Sequence, residues 1–210
     1  PMLLAGSSMG KIAVAYESMC SEQDARISQM KMIEEKNNSE FISAYQLEDE
    51  ISPEVPIDQV TLYRPDQEED IQRLISYSVG CMMGRYSLDE QGLTYAHSGN
   101  DGFDPSRYST FPADDDGIVP ITDVAWFPDD ATNRFEEFIK TAWPEEYLEE
   151  NLTFVAESLS KKKGETSREC IRRYFATGFY KHHMSMYKKR SIYWLFSSGK
   201  QRAFQCLVYL

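Results

Sequence analysis

Apolar residues recur every three or four positions in several stretches of this chain, and that period predicts its helices. Between Ser21 and Leu47, Ile27, Met30 and Ile33 follow one such rhythm and Phe41, Ile42 and Tyr45 a second, with Asn37-Asn38 as the expected break between two helices. Ser52-Pro53-Glu54-Val55-Pro56 then requires extended backbone, because each proline fixes its own φ and restricts the residue before it. Asp66 with Glu69 three residues on resembles a capping box. Ile71, Leu74, Ile75, Ser78, Val79 and Met82 line one face of the helix that follows, and Gly84 is its expected stop.

Ser87 to Asp130 lacks any period and is rich in Gly, Pro, Asp and Ser, which predicts loops and short strands. The helical rhythm returns with Phe135, Phe138, Ile139 and Trp143, then with Tyr147, Leu152, Val155 and Leu159, then with Ile171, Tyr174, Phe175 and Tyr180. At the end, Ile192 to Phe196 predicts a strand, whereas Ala203, Phe204, Leu207 and Leu210 favour a helix. The expected fold class is a predominantly helical α+β domain over residues 21–210, organised around the Ile71–Met83 helix, with an irregular Asp/Gly/Pro-rich middle. Residues 1–20 are read as a leader or cloning remnant, since the first ten mix small and apolar types without a period.

A length of 210 residues suits one domain, and 27% charged with 41% hydrophobic residues is a globular composition. No apolar run reaches the roughly 18 residues needed to cross a bilayer, and the opening residues lack a basic flank, so membrane insertion and secretion are disfavoured. The four cysteines are dispersed and form no Cys-x-x-Cys pair, which reads as reduced thiols in the cytoplasm. Charge changes the picture more. Residues 161–210 hold twelve Lys/Arg against two Glu, a net of +10, while the preceding 160 hold ten bases against thirty-two acids, a net of −22. That asymmetry calls either for an anionic partner or for docking of the two segments on one another.

Candidate chemistry is sparse. Asp114-Asp115-Asp116-Gly117 offers oxygen donors for a hard cation, but the spacing is not that of an EF-hand, and a solvated acidic turn is the simpler reading. His182-His183 lacks a partner at helical ligand spacing and reads as amphipathic filler. Asp24 with Glu34-Glu35-Lys36 satisfies a crude nuclease spacing on a helical pattern, where chance accounts for it. No phosphate-binding glycine loop and no Gly-x-Ser-x-Gly elbow is present. The most informative stretch runs from Tyr180 to Trp194, where Lys181, Lys188, Lys189 and Arg190 alternate with Tyr187, Tyr193 and Trp194. Cations interleaved with rings suit a nucleic-acid backbone with stacking surfaces nearby; the competing reading makes the rings core and pairs the cations with the acidic segment.

Leu74 to Asp89, Phe111 to Pro120 and Arg190 to Lys200 resemble runs of the PglX-like (BrxX) proteins, the adenine-specific DNA methyltransferases of BREX phage-defence systems. Asn38 to Leu47 is similar to the segment that precedes them there, and the order agrees. The resemblance implies methyl transfer from S-adenosylmethionine to N6 of adenine in double-stranded DNA, performed by a much larger protein. The family's Asn-Pro-Pro-Tyr motif and its glycine-rich cofactor loop are absent from this chain. It is therefore expected to be a non-catalytic accessory portion lying C-terminal to the methyltransferase domain, without a cofactor of its own, and its end at Val208-Tyr209-Leu210 is consistent with truncation. The expected DNA contacts are Lys181, Lys188, Lys189, Arg190, Lys200 and Arg202. The expected partners are DNA, the methyltransferase domain of the same protein and other BREX components; the alternative is a protein-interaction or spacer domain docking the latter two.

Overall fold

Helix α1 (Ile12–Tyr45) runs unbroken for 34 residues, about 51 Å at the α-helical rise. The structure, a computed structural model, describes Leu4 and residues 10–97, 101–199 and 204–209. The expected break at Asn37-Asn38 does not occur. Asparagine costs a helix only a fraction of a kcal/mol, and here the side chain of Asn38 donates to the Pro53 carbonyl at 3.2 Å. Glu35 accepts from the Val55 backbone N–H at 3.1 Å, so the proline connector lies along α1 and holds it. Residues 12–20 form the first turns of α1. Ile12, Ala15 and Met19 are buried, and the Ile12 N–H, orphaned at the helix start, donates to Asn151 Oδ1 at 2.8 Å.

Helix α2 (Gln67–Met82) is the centre of the core, burying Ile71, Leu74, Ile75, Val79 and Met82. The Asp66 carboxylate caps it by accepting from the Glu69 N–H at 2.8 Å. The reciprocal bond of the expected capping box comes from Asp70, which accepts from the Asp66 N–H, while Glu69 turns to Arg73. Gly84 ends the helix with φ +69°, donating back to the Cys81 carbonyl. Gly80 is required for a different reason: a Cβ there would meet the Tyr86 ring at 2.3 Å, and that ring stacks on Tyr77. Against α2 pack α3 (Ala131–Ala142) and α4 (Leu148–Ser158), and α5 (Ser167–Tyr174) packs on those two. Their apolar faces meet in an aromatic cluster of Phe111, Phe135, Phe138, Trp143 and Phe175.

The chain of α5 continues through a π-helical turn, Phe175–Phe179, into α6 (Tyr180–Met186). The strands β1 (Ile118–Thr122), β2 (Trp194–Ser197) and β3 (Phe204–Val208) form an antiparallel sheet in the order β1-β3-β2. The strand expected near Ile192–Phe196 is present. The helix expected over Ala203–Leu210 is not, because residues 204–208 hydrogen-bond to a strand on each side and bury Gln205 and Leu207 against the helices. Gln205 donates to the Ala176 carbonyl in the π-turn, tying the sheet's inner face to that bulge. The predominantly helical α+β class is as the sequence predicts.

Candidate nucleic-acid interface

The cations of the last fifty residues fall into separate groups. Arg168, Arg172 and Arg173 project from α5, and a Thr166–Glu169 capping box fixes the start of that helix. Arg168 forks between Glu136 of α3 and Glu149 of α4, at 2.7 and 2.6 Å. Arg172 reaches Asp130 at 2.7 Å and lies near the Thr122 and Val124 carbonyls, closing the junction between β1 and α3. Asp130 is fully buried and also caps α3 through the Thr132 and Asn133 N–H groups. Arg173 holds Glu165, whose carboxyl it pulls down to about 2. Part of the charge asymmetry is thus docking of the basic segment on the acidic one. Lys161, Lys162 and Lys163 lie in the turn between α4 and α5.

The expected contact residues stand apart from that trio. Lys181 is exposed on α6, and Lys188, Lys189 and Arg190 are exposed in the turn after it. Among the described residues none of the four is paired with a carboxylate. Lys200 and Arg202 lie outside the described residues. The turn is a Schellman-type C-cap: the Lys189 N–H bonds the Met184 carbonyl and the Lys188 N–H the Ser185 carbonyl. Glycine usually occupies the left-handed position of such a cap. Here Lys188 and Lys189 both adopt it, with φ of 50° and 64°, so two charged side chains occupy strained backbone.

His183 holds the turn from beneath. It is completely buried among Phe179, Tyr187 and Tyr193, and its Nε2 accepts from the Ile192 N–H at 3.2 Å. Its proton therefore resides on Nδ1, which has no hydrogen-bond partner among the described residues. Burial, then the nearby His182 and Arg85, push its pKa down to about 4. Tyr180 and Ser191 hydroxyls meet at 3.1 Å across the same turn. The rings of the stretch divide: Tyr193 is core at 1% exposure, Tyr187 is half-buried on His183, and Trp194 is 54% exposed.

The other candidates remain dispersed. Asp24, Glu34 and Lys36 are spread along α1 over roughly 18 Å of axis, and Lys36 pairs with Glu40. Asp114 accepts from the Ile118 N–H and sits beside Asp116; burial, then that second carboxyl, push its pKa up to about 6. No group of three His, Cys, Asp or Glu among the described residues could hold a metal ion. The four cysteines are unpaired. The described residues also do not fit S-adenosylmethionine: the sheet is antiparallel, and the link from β1 to α3, residues 123–130, contains no glycine with which to cradle the cofactor at a helix N-terminus. No described helix is long and apolar enough to cross a membrane.

Sequence reasoning overlooked the sheet's outward residues, above all Phe196, because strand register is set by partners far away in the chain. It counted Arg168, Arg172 and Arg173 in the basic segment and left open whether that segment docks on the acidic one.

No protein-family model matches the chain. It is 50% identical, over 225 aligned residues, to the adenine-specific methyltransferase BrxX of Escherichia coli O9:H4 (strain HS), an alignment covering 96% of this chain and 19% of that protein. It is 43% identical to the adenine-specific methyltransferase PglX of Lacticaseibacillus casei (strain Zhang), over 95% of this chain and 16% of that protein. The chain thus spans less than a fifth of these relatives' length, and over nearly all of its own it is homologous to one portion of the BrxX and PglX adenine-specific methyltransferases.

Proposed function

We propose that this chain is a non-catalytic portion of an N6-adenine DNA methyltransferase of phage defence, and that it grips the DNA backbone for a reaction performed elsewhere in a longer, cytoplasmic protein. Lys181, Lys188, Lys189 and Arg190 are the phosphate contacts, and Lys200 and Arg202, outside the described residues, are proposed as further ones. S-adenosylmethionine belongs to the catalytic portion. One observation carries the reading: among the described residues the turn cations are exposed and without a carboxylate partner, beside an arginine trio of the same segment that is paired with carboxylates, so their charge is available to an anion. The relatives are named adenine-specific methyltransferases, which supports an adenine-bearing nucleic acid as that anion, and DNA is the one proposed here.

The test is a gel-shift titration of duplex DNA with the 210-residue chain at several salt concentrations. Each phosphate contact contributes a slope of about −0.9 in log K against log salt, so changing Lys188, Lys189 and Arg190 to Gln should flatten the dependence by about three such increments, and reversing them to Glu should abolish retention. Absent or salt-insensitive binding by the unaltered chain overturns the reading.

A second reading, a spacer or interaction domain docking another defence component or the methyltransferase domain, draws support from the far half of α1. Met32, Ile33, Phe41 and Tyr45 are exposed there. It is distinguished by a pull-down of those partners that the same charge reversal leaves unchanged.

A further inference from the structure

We infer that the outward face of the β1-β3-β2 sheet is a stacking platform for unpaired DNA bases, with Trp194 and Phe196 as the two stacking rings. This rests on the DNA reading above and narrows it from duplex backbone to bases that have left the helix.

Trp194 stands opposite Val208, and Val208 opposite Ile118; Phe196 stands opposite Cys206, and Cys206 opposite Pro120. Residues in register share a face, so these two rows lie on one side of the sheet, which is open at Ile118, Trp194 and Phe196 and covered at Pro120, while the alternating Leu195, Leu207 and Val119 pack inward. A sheet with one packed face ordinarily presents polar residues on the other. This one presents Trp194 at 54% exposure, Phe196 at 53% and Ile118 at 39%. Trp126 and Phe127, from the link after β1, extend the apolar surface at its rim, Phe127 meeting Phe204 edge-on at 5.8 Å.

Two observations select nucleic acid over a protein surface as the occupant. Trp194 and Phe196 are two residues apart on one strand, about 7 Å, and each is about half exposed, so part of each ring is open to a base. The strand that carries them also begins four residues after Arg190, and the intervening Ser191 and Ile192 are held to α6 by Tyr180 and His183. Lysine and arginine followed directly by open rings can hold phosphate and base of the same strand, and stacking tolerates any base because every base has a π face. An enzyme acting on a base must unstack it, and such distortion leaves unpaired bases to be held.

The experiment follows tryptophan emission of the 210-residue chain carrying Trp126→Phe, in which buried Trp143 gives a constant background and Trp194 reports stacking. The probes are a single-stranded oligothymidylate, a duplex with a central unpaired bubble, and the fully paired duplex. The expected result is quenching by the first two probes, and at least fivefold tighter binding of them than of the paired duplex. Trp194→Ala and Phe196→Ala should each weaken that binding about five- to hundredfold, and, in a gel shift, Trp194→Phe should retain most of it. Both rings are half-exposed, so an unchanged far-ultraviolet circular dichroism spectrum is expected of every variant.

Equal binding of all three probes without quenching overturns the inference and leaves the DNA reading intact. No binding of any probe overturns both. Unchanged DNA binding by Trp194→Ala and Phe196→Ala, together with lost association with the remainder of the longer protein supplied as a separate polypeptide, overturns the inference and makes the face a protein contact.

Discussion

Helix α5 and the turn after α6 lie some twenty residues apart in the same basic segment, yet they use positive charge in opposite ways. On α5, Arg168, Arg172 and Arg173 are each matched to carboxylates, and through them α5 is fastened to α3, α4 and the end of β1. In the turn, Lys188, Lys189 and Arg190 face solvent on a scaffold held by neutral groups, a buried imidazole and a pair of hydroxyls. The lesson is that a count of bases measures two quantities at once: charge spent on internal cohesion and charge left for a partner. Guanidinium groups, with their planar fork, carry the first role; lysines dominate the second.

The contrast breaks most visibly at Asp130. Asp130→Ala leaves the Arg172 guanidinium, 12% exposed, without its counterion and removes the cap of α3. Stability should fall by about 3–5 kcal/mol, read as a lower urea midpoint. Adding Arg172→Met should restore a substantial part of it, because the unpaired charge is then gone.

Beneath the turn, His183→Phe keeps the ring packing but removes the acceptor for the Ile192 N–H, and should cost about 1–2 kcal/mol in the same assay. It should also abolish a pH effect. The folded-state pKa of His183 lies near 4, below its unfolded value, so the stability it contributes is complete above about 6.5 and is lost as pH falls toward 4. Urea midpoints of the unaltered chain between pH 7 and 4 should show that decline, and those of the variant a shallower one.

Asp114 offers the mirror image, an acid whose neighbour is another acid. Its pKa is raised to about 6, so the folded protein retains a proton that the unfolded chain releases near 4, and stability declines as pH rises from 4 through 6. Asp114→Asn should therefore stabilise the protein above pH 6 by about 1 kcal/mol, less than full linkage because solvent screens a half-buried carboxyl. A gain that disappears below pH 4 confirms the sign. Smallest of all, Lys188→Gly or Lys189→Gly should relieve left-handed strain and raise stability by about 0.5–1 kcal/mol while weakening DNA retention. Opposite signs in the two assays would show that the strained lysines serve the ligand rather than the fold.

Much of this architecture could be read from residue order. The apolar stripe from Ile71 to Met82 forms the central helix, and Gly84 stops it, as the pattern predicts. The places where the reading departed from the structure share one cause. Asn37-Asn38 carries weak local preference, and the proline connector, fifteen residues away, decided that α1 continues. Phe204, Leu207 and Val208 suit a helix or a strand equally, and pairing with β1, more than eighty residues earlier, decided for the strand. At the candidate site the cations and the rings were both legible, but their allocation was not. Tyr193 became core while Trp194, its neighbour, faces outward, because alternation along a strand sends adjacent side chains to opposite faces.

What the sequence determined by itself was therefore periodicity, capping and the overall asymmetry of charge, since these depend on residues within a turn or two of one another. Only the tertiary structure decided which arginines are consumed by Glu136, Glu149, Asp130 and Glu165, which lysines remain free, and which aromatic rings face out. Each of those outcomes depends on partners brought close by folding, and Coulomb attraction and burial act on distance in space rather than distance along the chain.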